Sequence, residues 1–247
     1  MTMRTFRIWR GDATGGEFKT YKQETGEGMV VLDVIHRIQA EQANDMAVRW
    51  NCKAGKCGSC SMEINGKPKL ACMTRMNLYH PDETITCQPV KTFPIQKDLA
   101  SDVSWNYEQN KKIQPFTPKP RDPDGKYRMS QADVDRVQEF RKCIECFLCQ
   151  DVCHVLRDHE RHDAFVGPRF LIRLASLDMH PLDTADRIPK IKEEYGSGFC
   201  NITRCCTEVC PEHIGITDNG IIPLKERVVD RFYDPIMMLK RKLFGGC

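Results

Sequence analysis

The apolar and polar residues of the chain follow two different patterns, which meet near residue 105. In the first part, residues 4–9, 17–23 and 83–88 are short, strand-like segments. The pair Asn65 and Gly66 lies between two further short segments and predicts a tight β-hairpin. Residues 29–42 carry the one-sided apolar stripe of a helix. The first part therefore predicts a domain of strands with one helix.

The second part predicts helices. Residues 106–128 are rich in proline and charge, which is typical of a linker. Ser130 followed by Asp133 predicts a capped helix start, and apolar stripes at 170–177 and 223–232 predict two more helices. We therefore expect an α+β protein with domains at residues 1–105 and 129–247, joined by a linker at 106–128.

Charge and hydropathy argue against a nucleic-acid-binding protein and against a chain that spans a membrane. The 37 basic and 34 acidic residues are interleaved, whereas a nucleic-acid binder usually gathers a strong basic excess in one patch. No stretch approaches the 18 or more apolar residues that a membrane-spanning helix needs. The first ten residues alternate like a strand rather than a secretory leader, so we expect a reducing compartment. There, the fourteen cysteines with Cys-x-x-Cys spacings indicate metal rather than disulfides.

The first cysteine group predicts a 2Fe–2S centre. Its spacing, C-x4-C-x2-C with a fourth cysteine downstream, is that of plant-type ferredoxins. Gly55 and Gly58 suit a loop that wraps tightly around a cluster, because glycine tolerates positive φ. A structural zinc site is the alternative interpretation. The predicted ligands are Cys52, Cys57, Cys60 and Cys72.

Two further groups predict one complete and one incomplete ferredoxin run. The first has the spacing C-x2-C-x2-C-x3-C, and the second matches it except that Thr203 stands at the second position. In two-cluster ferredoxins the fourth cysteine of each run binds the other cluster. The predicted 4Fe–4S ligands are Cys143, Cys146, Cys149 and Cys210, and the predicted 3Fe–4S ligands are Cys153, Cys200 and Cys206.

Three cysteines are left over by this assignment. We expect Cys87 to be a small buried residue of a strand, and Cys247 lies at the terminus. Cys205 stays open, because it neighbours Cys206 and could supply a fourth ligand to the last cluster if it turned inward.

The order of these motifs resembles that of the iron–sulfur subunits of succinate dehydrogenase and fumarate reductase. The resemblance covers essentially the whole chain. It implies a β-grasp, plant-type ferredoxin domain followed by an all-α helical ferredoxin domain. It also implies a flavoprotein partner that holds FAD, a membrane anchor, and electron transfer between flavin and quinone through the three clusters in chain order. The dicarboxylate site would belong to the flavoprotein, so we expect no catalytic acid or base in this chain.

The resemblance also points to residues beside the quinone and to a location. Residues flanking the 3Fe–4S ligands line the quinone pocket in this family, which here are His154, Asp158, Asn201 and Thr203. Ubiquinone-linked members have proline, tryptophan and histidine at the first three of these positions. These differences from the ubiquinone-linked members favour menaquinone as the quinone, or a rearranged anchor. We expect a peripheral subunit on the cytoplasmic face of a bacterial membrane, held by the anchor.

Two other functions compete with this interpretation. An iron–sulfur subunit of another flavin-linked membrane oxidoreductase would usually lack the plant-type motif that Cys52–Cys72 complete here. A zinc-stabilised interaction module would contain negligible iron and would be colourless. Iron and sulfide analysis with electron paramagnetic resonance separates these possibilities.

Overall fold

The computed structural model describes residues 2–244, so Cys247 lies outside the described residues. The described chain divides into two compact units. The first comprises residues 2–105 together with Ile144–Val152, and the second comprises residues 106–143 and 153–244. Residues 144–152 therefore group with the N-terminal unit, although their sequence lies inside the region expected to be helical. The predicted domain bounds themselves stay a prediction.

The first unit is built on a five-stranded mixed sheet of β1 (Thr2–Asp12), β2 (Gly15–Thr25), β3 (Ser61–Ile64), β4 (Lys67–Leu70) and β5 (Ile85–Gln88). The strand order is β2-β1-β5-β3-β4, in which β1 and β5 pair in parallel and the other neighbours pair antiparallel. Arg4, Phe6 and Ile8 alternate along β1 with their side chains buried, as one face of a strand requires. Two further strands, β6 (Ile95–Lys97) and β7 (Ala100–Ser101), form a separate two-stranded sheet.

The predicted hairpin and helix of this unit are both present. Asn65 and Gly66 join β3 to β4 with positive φ angles of 48° and 72°, which the tight hairpin turn requires. Helix α1 (Val31–Glu41) buries its apolar stripe, including Val34 and Ile38. A sheet with one helix, in this strand order, is the arrangement expected of the β-grasp domain.

Side-chain contacts tie residues 144–152 into the first unit. Ser61 Oγ donates to the carbonyl of Cys146 at 2.8 Å. The fully buried Asp151 accepts from the amides of Lys91 and Thr92 at 2.9 and 3.1 Å. Since a buried carboxylate without such donors would be strongly destabilising, these bonds fix the segment in place.

The helices of the remaining chain are short, and no helix within residues 2–244 is both long and apolar enough to cross a bilayer. The predicted cap is present, because Ser130 Oγ accepts from the amide of Asp133 at 3.1 Å. After α1, the helices are α2 (Ser104–Lys112), α3 (Gln131–Gln138), α4 (Leu148–Asp151), α5 (His154–Arg157), α6 (Pro168–Asp178), α7 (Ile188–Glu193), α8 (Cys205–Glu208), α9 (Ile222–Phe232) and α10 (Pro235–Phe244), with a π-helical segment at Ile216–Ile221.

The segment expected to be a linker is more ordered than its composition suggests. Its start is the helix α2, which buries the amides Asn106 and Gln109 rather than an apolar stripe. Further on, Arg187 donates to the carbonyls of Gln114 and Pro115 at 3.2 and 2.8 Å. Arg187 also pairs with Asp183 at 3.0 Å, and both side chains are buried. Buried polar contacts thus hold the proline-rich stretch against the rest of the second unit.

Candidate functional site

The first cysteine group lies in a loop that ends at β3. The amides of Ala54 and Lys56 both donate to Cys52 Sγ at 3.3 Å, and the amide of Cys72 donates to Cys60 Sγ at 3.4 Å. Hydrogen bonds from amides stabilise negative charge on sulfur, which is the form that binds iron. The loop is therefore built to hold thiolates.

Two glycines allow this loop to close. Gly55 and Gly58 have φ angles of +67° and +68°, a region that side chains rarely enter. A Cβ atom at Gly58 would lie 2.5 Å from Cys146 Cα, and one at Gly55 would lie 2.8 Å from Met73 Sδ. Gly58 thus lets the backbone of the loop approach the backbone of Cys146 within the first unit.

The thiols of this loop differ in their tendency to ionise. Burial raises the pKa of Cys57, but hydrogen bonds from Ser59 and Cys52 outweigh it and bring the pKa to about 7. Burial raises the pKa of Cys60 to about 12. Cys52 is exposed, whereas Cys60 and Cys72 are buried. Binding iron to Cys60 must therefore displace a proton, which makes assembly of the site dependent on pH.

The complete run of cysteines follows a single helical turn at Glu139–Lys142. Glu145 and Phe147 have positive φ angles of 55° and 60°, and α4 begins directly afterwards. These two left-handed residues reverse the chain between the first three cysteines. Cys146 and Cys149 belong to the first unit, while Cys143 and Cys210 belong to the second, so the 4Fe–4S ligand set stays a prediction.

The incomplete run repeats this local geometry. A helical turn at Ser197–Phe199 precedes Cys200, Ile202 and Arg204 have positive φ angles of 63° and 67°, and α8 follows. Thr203 stands between the two left-handed residues, in the place that Cys146 holds in the complete run.

The second unit brings the predicted 3Fe–4S ligands together around one pocket. His154, Asn201 and Thr203, three of the four residues expected near a quinone, line it as well, whereas Asp158 is exposed and is not among its lining residues. The cysteines that line it are Cys153, Cys200, Cys205 and Cys206.

Cys205 reaches this pocket without taking the place of Thr203. The Thr203 Oγ1 and Cys205 Sγ atoms lie 3.3 Å apart. Cys205 is the first residue of α8 and corresponds to Leu148 in the complete run, which is not a ligand position. Because Cys205 lines the pocket, the alternative in which it supplies a fourth ligand to the last cluster stays a prediction.

Polar groups from distant parts of the sequence surround the predicted 3Fe–4S ligands. Lys225 Nζ donates to the carbonyl of Cys200 at 2.8 Å. The fully buried Thr217 has its Oγ1 at 3.5 Å from Cys206 Sγ and accepts from Thr207 Oγ1 at 3.0 Å. Since the Thr217 oxygen already accepts a hydrogen bond, its own hydroxyl hydrogen is free to point at the sulfur.

Burial governs ionisation in this pocket. It raises the pKa of Cys153 to about 11 and that of Cys206 to about 11. These two thiols are therefore neutral without metal, and their thiolate forms need positively charged iron as a counter-charge.

The donor atoms fit iron–sulfur clusters. Thiolates are soft ligands that suit such clusters, and amide donors to sulfur are a recurrent part of their surroundings. Within residues 2–244, no three His, Cys, Asp or Glu side chains are grouped closely enough to bind a single metal ion. A cluster spreads its ligands over several iron atoms and so needs a wider cavity than one ion does.

The structure also adds functional residues that the motifs did not identify. Thr217 and Lys225 lie far in sequence from the ligands they approach, so no spacing pattern could have revealed them. Ser61 directly follows the ligand Cys60, and that adjacency was the one available signal. Cys87 is fully buried in β5, where burial raises its pKa to about 12, which confirms its expected place as a buried residue of a strand.

Comparison with known proteins agrees with the site geometry. A family model described as a 2Fe-2S iron-sulfur cluster binding domain matches residues 5–108, and one described as a 4Fe-4S dicluster domain matches residues 139–214. The fumarate reductase iron–sulfur subunit of Mycobacterium tuberculosis is 30% identical over 210 residues, which cover 83% of each chain.

Two further relatives extend this likeness. The succinate dehydrogenase iron–sulfur subunit of Paracoccus denitrificans is 29% identical over 237 residues, covering 93% of this chain and 89% of the relative. A chain of the Mycobacterium smegmatis Sdh1 complex in the apo form is 62% identical, with a TM-score of 0.92. That match covers 95% of this chain and 99% of the solved one.

Proposed function

Because the chain belongs to the family of succinate dehydrogenase and fumarate reductase iron–sulfur subunits, we propose that it relays electrons between a flavin and a quinone through three clusters. The α+β fold with its 2Fe–2S and 4Fe–4S domains and the place in an oxidoreductase complex follow from the family itself. Beyond the family, we propose the types of the three clusters, the cysteines that bind each of them, and the two electron partners.

In this proposal, four cysteines bind the 2Fe–2S centre, four bind the 4Fe–4S centre and three bind the 3Fe–4S centre. When bound, the clusters would supply one-electron redox steps between two carriers that each handle two electrons. The 2Fe–2S ligands are Cys52, Cys57, Cys60 and Cys72, the 4Fe–4S ligands are Cys143, Cys146, Cys149 and Cys210, and the 3Fe–4S ligands are Cys153, Cys200 and Cys206.

The place of Thr203 in the pocket is the observation that carries the cluster assignment. Thr203 stands between two left-handed residues, as Cys146 does, and lines the pocket, which supports our proposal that its hydroxyl stands in for the missing thiolate. A threonine hydroxyl is a poor iron ligand, and a cluster with three thiolates keeps three irons. Oxidised 3Fe–4S is therefore expected in this pocket.

The residues around the clusters hold charge and connect the sites. Amides of the first loop donate to Cys52, and the amide of Cys72 donates to Cys60. Lys225 places a positive charge beside Cys200. Gly58 and Ser61 bring the first loop against Cys146, so the backbones that carry two predicted ligand sets touch within one unit. Close contact of this kind favours electron transfer between the sites.

The surroundings of the 3Fe–4S pocket support a quinone partner. His154, Asn201 and Thr203 line the pocket together with apolar residues such as Ile202. Because the cluster itself would fill the pocket, we propose that the quinone head group binds outside it, next to these residues, where polar groups on an apolar wall suit such a ligand. We propose menaquinone, because the ubiquinone-type residues are absent from positions 154, 158 and 201. The proposed setting is the cytoplasmic face of a bacterial membrane, with an FAD-containing flavoprotein and an anchor as partners.

Freeze-quench electron paramagnetic resonance on the whole complex tests this function. Succinate should remove the oxidised 3Fe–4S signal, and a menaquinone analogue added afterwards should restore it. If another electron donor but not succinate reduces the clusters, the chain serves a different flavin-linked oxidoreductase. If neither substrate changes any signal, the proposed relay is wrong.

A further inference from the structure

The last described helix, α10, begins at a well-formed cap. Asp234 Oδ1 accepts from the amides of Ile236 and Met237 at 2.7 and 3.1 Å. Pro235 occupies the first helical position, where its fixed φ is favourable. The sequence thus specifies a separate helix after α9 rather than a continuation of it.

One side of α10 faces α9. Arg241 Nη2 donates to the carbonyl of Arg231 at 3.0 Å and also to that of Asp230. Met237 lies one helical turn before Arg241, on the same side. These contacts fix the rotation of α10 about its axis and therefore determine which residues face outward.

The opposite side presents an apolar stripe, which we define as Ile236, Leu239 and Leu243. These residues are spaced i, i+3 and i+7, so they share one face of the helix. Their exposed fractions are 65%, 57% and 67%. Large apolar side chains on one helix face, exposed together, indicate a surface that is covered in use.

Basic residues border this stripe. Lys240 and Lys242 lie on its two sides, and α10 contains no acidic residue. Within residues 2–244, neither lysine has an acidic partner at ion-pair distance. Long lysine stems can lie along an apolar surface while their charged ends reach outward.

We propose that α10 lies in the interface of a bilayer containing anionic lipid, with the apolar stripe inserted and the two lysines bound to headgroups. An apolar face bordered by basic residues is the pattern of helices that bind such surfaces. The charge complementarity is specific to an anionic partner. Three side chains also form too small a patch for a stable protein interface, which commonly buries about 800 Å² on each partner.

Vesicle binding by the complex of this chain with its flavoprotein, without the anchor, tests the proposal. The complex should co-sediment with phosphatidylcholine vesicles that contain phosphatidylglycerol, but not with pure phosphatidylcholine vesicles. The double variant Lys240→Gln, Lys242→Gln should bind about thirtyfold more weakly, since each basic residue near an anionic surface contributes about 1 kcal/mol. Leu239→Asn with Leu243→Asn should weaken binding at least about tenfold, also at high salt.

A matched control removes two lysines elsewhere. Lys22 and Lys67 are exposed residues of the first unit without ion pairs among the described residues, so Lys22→Gln with Lys67→Gln should bind like the wild type. Equal losses in the control and the α10 lysine variant would overturn the proposal, as would binding only to vesicles that carry the anchor subunit. The cluster signals, which test the proposed function, should be unchanged in every variant.

Discussion

The two cysteine runs share a backbone conformation and differ in one cysteine of the ferredoxin spacing. Cys143 and Cys200 both follow a single helical turn, with amide-to-carbonyl distances of 3.4 Å to Phe140 and Ser197. Both runs then place left-handed residues at the second and fourth positions after that cysteine and continue into a four-residue helix. The incomplete run therefore keeps the geometry of a full ferredoxin run without the cysteine that completes it.

Two of the side-chain differences between the runs remove or add a thiol. Thr203 replaces Cys146, and Cys205 replaces Leu148. The thiol at position 205 belongs to a position that is not a ligand in the complete run, although it reaches the pocket. The comparison leads us to propose that one side chain on an unchanged backbone sets the cluster type.

The surroundings of the runs differ as well. Residues 144–152 are bound to the sheet unit through Ser61 and Asp151. The incomplete run instead has Thr217 and Lys225 beside its ligands, both from the chain that follows α8. Each difference can be tested separately.

Removing the fourth cysteine of each run should have the largest effect. If each fourth cysteine serves the other run, Cys153→Ala should abolish the oxidised 3Fe–4S signal and lower the iron content by about three atoms. Cys210→Ala should keep that signal and lose the 4Fe–4S centre. Loss of the 3Fe–4S signal in Cys210→Ala, with the 4Fe–4S centre retained, would mean that the runs do not cross.

Restoring the missing ligand should convert the incomplete run into a complete one. Thr203→Cys should remove the oxidised 3Fe–4S signal, add about one iron per chain and lower the midpoint potential of that centre. Thr203→Ser is the matched control and should keep three irons. An altered iron count in Cys205→Ser would show instead that Cys205 is already a ligand.

Disturbing the contact between the first cysteine loop and Cys146 should lower the stability of the first unit, an effect smaller than the loss of a cluster. Gly58→Ala forces a side chain against Cys146 at a positive φ, so we expect the free energy of unfolding to fall by about 2–4 kcal/mol. Gly66→Ala has a similar φ but open space around it, so its loss should be about 1 kcal/mol. Calorimetry should distinguish the two, and equal losses would show that the contact with Cys146 is unimportant.

The smallest effect concerns the hydroxyl beside Cys206. Thr217→Val keeps the volume but removes a hydrogen bond to sulfur, so the midpoint potential of the 3Fe–4S centre should fall by about 20–60 mV. Redox titration followed by electron paramagnetic resonance measures this shift, and the 2Fe–2S potential in the same sample is the internal control. An unchanged 3Fe–4S potential would remove Thr217 from the site.

Local signals predicted much of the fold. Asn65 with Gly66 and Ser130 with Asp133 act through neighbouring backbone, so the hairpin and the capped helix could be inferred from sequence. The helix α2 could not, because it buries the amides Asn106 and Gln109, and amides produce no apolar stripe. The attachment of residues 144–152 to the sheet depends on Asp151 meeting amides sixty residues away, which no local pattern encodes.

The same distinction applies to the site. The two-cluster rule grouped Cys153 with Cys200 and Cys206, and these three cysteines line one pocket together with Cys205. Their role as cluster ligands stays a prediction. Thr217 and Lys225 arrive from other helices and could not be predicted. Asp158 was expected near a quinone by position alone. It is exposed after α5 and does not line this pocket, and its place near a quinone stays a prediction.

Mössbauer spectroscopy combined with iron and sulfide analysis of the anaerobically prepared complex tests the central claim most directly. The account predicts about nine irons in this chain, divided among one 2Fe–2S, one 4Fe–4S and one 3Fe–4S centre. Ten irons with two 4Fe–4S centres, or zinc in place of iron, would contradict the assignment of Thr203 as the position that leaves the last cluster with three irons.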